Sequence, residues 1–303
     1  MLNVNIKKTI LFSDYKAEFF LLIATILWGG TFPVIKYGLE WIDPFLLIFL
    51  RFFIAFMILS FFILMGWIKI KKNILNDSII FKSLALGLIG FFSYFTQTYG
   101  LLYTTPHRSA FITQLLIIFV YIFQFILLKK MITKYQWFSL GMILFGSYIL
   151  FFGFRLEDLF FTKTFKGDFY TFLCAIGFAI YIIIVDFIKQ EEFFLVLFYH
   201  FFFISIFSLF FLFVYPVEFQ LNFNILFSIG YLSILATLVT SMILFYYQPQ
   251  TTPVRASIIY ALEPVFASIF AILFLKINFT VQELIGVSII FIGSLIGEMI
   301  RTK

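Results

Sequence analysis

Apolar residues along this chain come in long blocks, and polar residues are confined to short gaps between them. Ten blocks reach the ~20 residues that a helix needs to cross a bilayer core. They are 17–37, 44–67, 79–100, 106–128, 135–153, 168–188, 193–215, 224–247, 253–275 and 281–300. A membrane β-barrel would instead show strands of about ten residues with alternating polarity. Backbone groups in lipid must be satisfied within their own segment, so each block predicts an α-helix. The expected fold is an all-α integral membrane protein with ten transmembrane helices. The longest polar connection, 154–167, leaves no room for a soluble domain.

A polar phrase occurs twice between these blocks, YTTPHRSA at 103–110 and QTTPVRAS at 250–257. Residues 104–147 align with 251–294 without a gap, at a shift of 147, and Gly146–Ser147 match Gly293–Ser294 near the end. Such internal symmetry is common in repeat-built transporters. The predicted organisation is a cytoplasmic segment 1–16, a five-helix repeat 17–153, a linker 154–167 and a second repeat 168–300. Five is odd, so the second copy is expected to cross the membrane in the opposite sense. A Thr and a Pro before an apolar run predict a helix start, with Thr105 as N-cap and Pro106 at the first helical position. Arg108 is then expected to snorkel to the interface. His107 has Val254 as its counterpart and reads as a surface residue.

Composition agrees with lipid as the solvent. Of 303 residues, 63% are apolar and 12% charged, against about half and a quarter in soluble domains. The net charge of +6 comes from short loops, and no basic tract beside aromatics points to nucleic acid. With the N-terminus inside, about 14 Lys and Arg face the cytoplasm and 6 the other side, which predicts both termini cytoplasmic in a cell membrane. The first span reads as an uncleaved anchor rather than a cleaved signal. Cys174 has no disulfide partner and reads as structural.

Charged groups inside spans mark function or pairing. Glu263 falls about 15 Å into the ninth block. It is expected either to bind a substrate amine or a proton, or to form a buried structural pair. Pro264 should loosen the backbone at the Tyr260 carbonyl. Arg51 could bind a carboxylate, pair with Glu263, or snorkel towards Asp43. Trp28, Gly29, Gly30 and Pro33 suggest a hinge and close packing, with Trp28 also a candidate cavity wall. Thr96, Gln97, Thr98, Tyr99 and Gln114 serve interhelical hydrogen bonds or line a cavity. Tyr181, Tyr199 and His200 are weaker candidates, and Asp186 and Lys189 read as interfacial. Two distant histidines, no acidic cluster inside a span and no phosphate-binding loop argue against an intramembrane enzyme or a built-in ATPase. A non-transporting scaffold is the blander alternative.

The chain resembles the EamA-type transporters of the drug/metabolite transporter superfamily. The resemblance rests on ILWGGTFPVIK (26–36), PFLLIFLRFFIA (44–55), GLLYTTPHRSAFI (100–112), GDFYTFLCAIGFAIY (167–181), RASIIYALEPVFASIF (255–270) and IGVSIIFIGSLIG (285–297). It departs from the family where a Gly-Glu pair often follows the fourth and ninth helices; LLKKMIT (127–133) and LKINFT (275–280) stand there instead. The resemblance implies a cavity between helices 1–4 and 6–9, braced by helices 5 and 10. It further implies alternating access for a small metabolite, often an amino acid moved outward, with candidate proton coupling and no cofactor.

Overall fold

The structure, a computed structural model, describes residues 15–70, 76–152, 164–214, 219, 222–275 and 280–298. The orientation-bearing Lys and Arg at 7, 8, 71, 72, 155, 163, 276, 301 and 303, most of the linker and the side chain of His107 lie outside the described residues.

Eight helical stretches among the described residues are long and apolar enough to cross a membrane, and Val281–Gly297 is a shorter apolar helix. The first half holds α1 (Lys16–Trp28), α2 (Thr31–Gly38), α3 (Pro44–Leu64), α4 (Asp77–Tyr103), α5 (Pro106–Gln114), α6 (Leu116–Leu127) and α7 (Lys134–Phe152). The second half holds α8 (Phe165–Val185), α9 (Phe193–Leu212), α10 (Phe223–Gly230), α11 (Thr240–Tyr247), α12 (Pro253–Tyr260), α13 (Glu263–Leu275) and α14 (Val281–Glu298). A π-helical stretch, Tyr231–Val239, joins α10 to α11, and a 3₁₀ turn, Gln248–Gln250, follows α11.

Three of the expected continuous helices are therefore broken. The first breaks at Gly29–Gly30, the fourth at Leu115 and the ninth at Ala261–Leu262. Paired glycines explain the first break. Close packing fills it: a Cβ on Gly29 would lie 2.9 Å from the Ala267 nitrogen, and one on Gly30 2.5 Å from the Tyr231 hydroxyl. That hydroxyl donates to the Leu27 carbonyl at 2.5 Å, satisfying a group near the break. Pro33 sits in the first turn of α2, where a missing N–H costs nothing. Pro264 is likewise the second residue of α13, so the chain turns before it rather than bending through it.

The repeated TTPxR phrase starts a helix in both halves. The Thr105 side chain accepts from the Arg108 N–H and Thr252 from the Arg255 N–H, each at 3.3 Å. Neither arginine snorkels. Arg108 pairs with Asp168 at the start of α8 at 2.6 Å, and Arg255 with Glu18 at the start of α1 at 3.2 Å. Each arginine thus ties its own repeat to the first helix of the other. Lys130–Asp186 and Lys82–Glu192, both at 3.0 Å, also join the halves, so Asp186 is a cross-repeat partner and not a lone interfacial charge.

Large apolar side chains cover the outside, among them Leu64, Phe81 and Phe210. Exposed apolar surface on this scale fits lipid contact, because lipid removes the cost of leaving it uncovered. The α7 and α14 helices pack along each other, with Gly146 and Gly286 in backbone contact distance.

Candidate functional site

The breaks converge on one cavity. It is lined by Trp28 and Thr31 at the first break, Thr113 and Leu116 at the second, and Tyr260 and Glu263 at the third. Arg51 of α3, Tyr94 and Gln97 of α4, Phe178, Tyr181 and Ile182 of α8 and Leu244 of α11 complete the wall. The cavity encloses about 630 Å³ of empty space, its open mouth included. Metabolite pockets fall in this range and pair apolar walls with a few placed polar groups.

Arg51 is 3% exposed, so it neither snorkels nor reaches water along its own stem. Its Nε donates to the Thr237 hydroxyl at 2.5 Å, and one terminal nitrogen donates to the Ala236 carbonyl at 3.0 Å. Both partners lie in the π-helical stretch. A π turn shifts bonding from i−4 to i−5 and alters which carbonyls are available to outside donors. The guanidinium also sits 4.7 Å from the centre of the Tyr94 ring, a cation–π contact. These contacts hold the charge in place without neutralising it. Among the described residues Arg51 forms no ion pair, with Glu263 or any other carboxylate.

Glu263 opens α13 at the third break. The positive end of a helix dipole favours a carboxylate there. The Thr31 hydroxyl lies within hydrogen-bond reach of this carboxyl and 2.7 Å from the Trp28 carbonyl. Glu263, too, has no cationic partner among the described residues. The cavity thus carries one anchored cation and one carboxyl group that are not paired to each other.

Tyr260 donates to Gln248 at 3.1 Å, and Gln248 donates to the Ile182 carbonyl at 2.7 Å. The Trp28 and Tyr260 rings meet edge to face at 5.2 Å. This network fixes one wall and joins α1, α8, α11 and α12. Gln97 lines the cavity, while Gln114 and Thr96 are buried and do not. Thr96 bonds back to the Phe92 carbonyl at 2.8 Å.

Thr31, Tyr94, Thr113, Phe178 and Leu244 escaped the sequence reading. Tyr94 and Gln97 are three residues apart and share a helix face, a signal that was available. The others are ordinary residues inside apolar runs, and nothing in their order sets them apart.

The chain matches the EamA-like transporter family over residues 15–152 and again over 165–297. It belongs to that family. The family lies in the drug/metabolite transporter superfamily. Among curated proteins, an uncharacterized transporter of Archaeoglobus fulgidus is 27% identical over 286 residues, covering 93% of this chain and 86% of the relative. A solved structure described only as the crystal structure of a protein superposes with a TM-score of 0.76 at 16% identity, covering 94% of this chain and 96% of the other. That likeness shows the fold alone. The family and the relative point to a multi-pass membrane transporter rather than an enzyme.

Proposed function

We propose that this protein is a secondary transporter for a small metabolite bearing both a carboxylate and an amine, an amino acid or a related compound. The observation that carries the reading is the pair of unneutralised charges, Arg51 and Glu263, on one cavity wall system. Binding of a zwitterion would give each charge the partner that it lacks. A buried charge gains most from such a partner, because the low-dielectric surroundings screen it least.

Alternating access follows from the two-repeat organisation. Two inverted five-helix repeats would rock about the cavity, with the broken helices absorbing the motion and Gly29, Gly30 and Pro264 at the breaks. The 14-to-6 loop bias supports cytoplasmic termini in the cell membrane. Transport runs outward in this reading, with Glu263 as the group that exchanges a proton for substrate.

The test is flux of labelled amino acids in vesicles reconstituted with the purified protein, with and without an imposed proton gradient. Flux that follows the gradient in wild type and not in Glu263→Gln is expected. Flux indifferent to the gradient in both removes the proton role from Glu263.

A further inference from the structure

His200 stands on α9, one layer behind the cavity wall, with no exposed surface. Rings of Phe245, Phe201 and Phe52 surround it at 5.3, 5.7 and 6.2 Å between centres. Its Nε2 is 3.0 Å from the hydroxyl of Tyr181, and Tyr181 lines the cavity. Its Nδ1 faces the Leu86 backbone, outside good hydrogen-bond geometry.

These contacts decide where the imidazole proton sits. Leu86 lies within α4, so its N–H is committed to the helix and its carbonyl keeps a spare lone pair. A neutral imidazole carries one N–H. On Nδ1, that hydrogen points at the Leu86 carbonyl. On Nε2, it would leave a bare Nδ1 lone pair facing a carbonyl lone pair, which is repulsive. With the hydrogen on Nδ1, Nε2 can only accept, and the Tyr181 hydroxyl must donate to it. The one O–H of Tyr181 is then committed away from the cavity, and its oxygen offers the cavity only lone pairs.

We propose that His200 is a positioning residue that fixes Tyr181 as an acceptor, so that the cavity selects metabolites presenting an N–H or O–H to that wall. The second half of the statement rests on the transport reading above; the direction of the Tyr181–His200 hydrogen bond does not. Among neutral residues a histidine buried in phenylalanine is an expensive way to fill space. Its position behind a cavity-lining tyrosine gives that cost a function, as outer partners do when they set a histidine tautomer.

The chain has two histidines, so a His107→Gln background leaves His200 alone for ¹⁵N NMR of histidine-labelled protein. The expected spectrum has a protonated Nδ1 and a bare Nε2 whose shift moves on Tyr181→Phe. A protonated Nε2 overturns the proposal whatever the substrate. Binding is then compared for pairs differing in a donor, L-threonine with L-valine and L-alanine with its N-trimethyl betaine. Wild type should favour the donor-bearing member of at least one pair. Tyr181→Phe and His200→Leu should reduce that preference about tenfold, the scale of one lost hydrogen bond. His200→Gln, whose Oε1 accepts the same proton, should retain it. Unchanged preferences in both disabling variants overturn the selectivity half. If wild type binds no amino acid, the zwitterion reading fails, and the NMR experiment still decides the hydrogen bond.

Discussion

The two broken helices, α5–α6 and α12–α13, are the same backbone built with different chemistry. Both start at a Thr-Pro cap, and both break ten residues after the capping threonine. The bond at the break is the same one: Leu115 N–H to the Ile112 carbonyl in one copy, Leu262 N–H to the Ile259 carbonyl in the other, each at 3.0 Å. Proline follows the break only in the second copy; Leu116 and Ile117 occupy the places of Glu263 and Pro264. The break therefore does not depend on proline. The two copies also contribute different groups to the cavity. Thr113 and Leu116 offer the cavity space and apolar surface, where Tyr260 and Glu263 offer a hydrogen-bonded ring and a charge. Duplication supplied a common backbone, and the cavity's polarity comes from where the copies diverge.

Substitutions can break this comparison, and the largest effect should come from moving the charge. Leu116→Glu places a second unpartnered carboxylate in the cavity, and a buried uncompensated charge costs about 3–5 kcal/mol. The expected outcome is a large loss of folded protein in size-exclusion profiles. Glu263→Gln should leave that profile unchanged while removing transport. Arg51→Met comes next. It removes two charged hydrogen bonds and strands the Thr237 hydroxyl and the Ala236 carbonyl, at about 1.5–3 kcal/mol per bond, read as a fall in thermal unfolding temperature.

The cross-repeat arginines sharpen the comparison from the other side, because here the copies agree. Arg108→Ala and Arg255→Ala should each lower stability by about 1.5–3 kcal/mol, and by similar amounts, since both pairs are largely buried. A loss confined to one variant would show that the two ties are not equivalent. The smallest effect belongs to the caps. Thr105→Ala and Thr252→Ala should each cost about 1 kcal/mol, again alike.

Much of this was legible in the order of residues. The apolar blocks marked the helices because lipid allows little else, and the two TTPxR phrases marked both caps and the repeat. Arg51, Glu263, Trp28, Tyr260 and Gln97 stood out as polar or aromatic groups inside apolar runs, and the fold brings all five to one cavity. The partners of the arginines were not legible. Arg108 and Arg255 look like interfacial anchors until tertiary structure places Asp168 and Glu18 beside them. The break at Leu115 was also hidden, since no proline or glycine marks it. His200 read as a minor candidate because its meaning depends on Tyr181, nineteen residues away and on another helix.

The central claim is that Arg51 and Glu263 hold opposite ends of one substrate. Counterflow exchange of labelled amino acids in vesicles containing wild type, Arg51→Gln, Glu263→Gln or the double variant tests it most directly. The account predicts that each single variant loses at least about tenfold in exchange, about 1.4 kcal/mol, and that the double variant loses little more than the weaker single. Wild-type exchange in the double variant would contradict it.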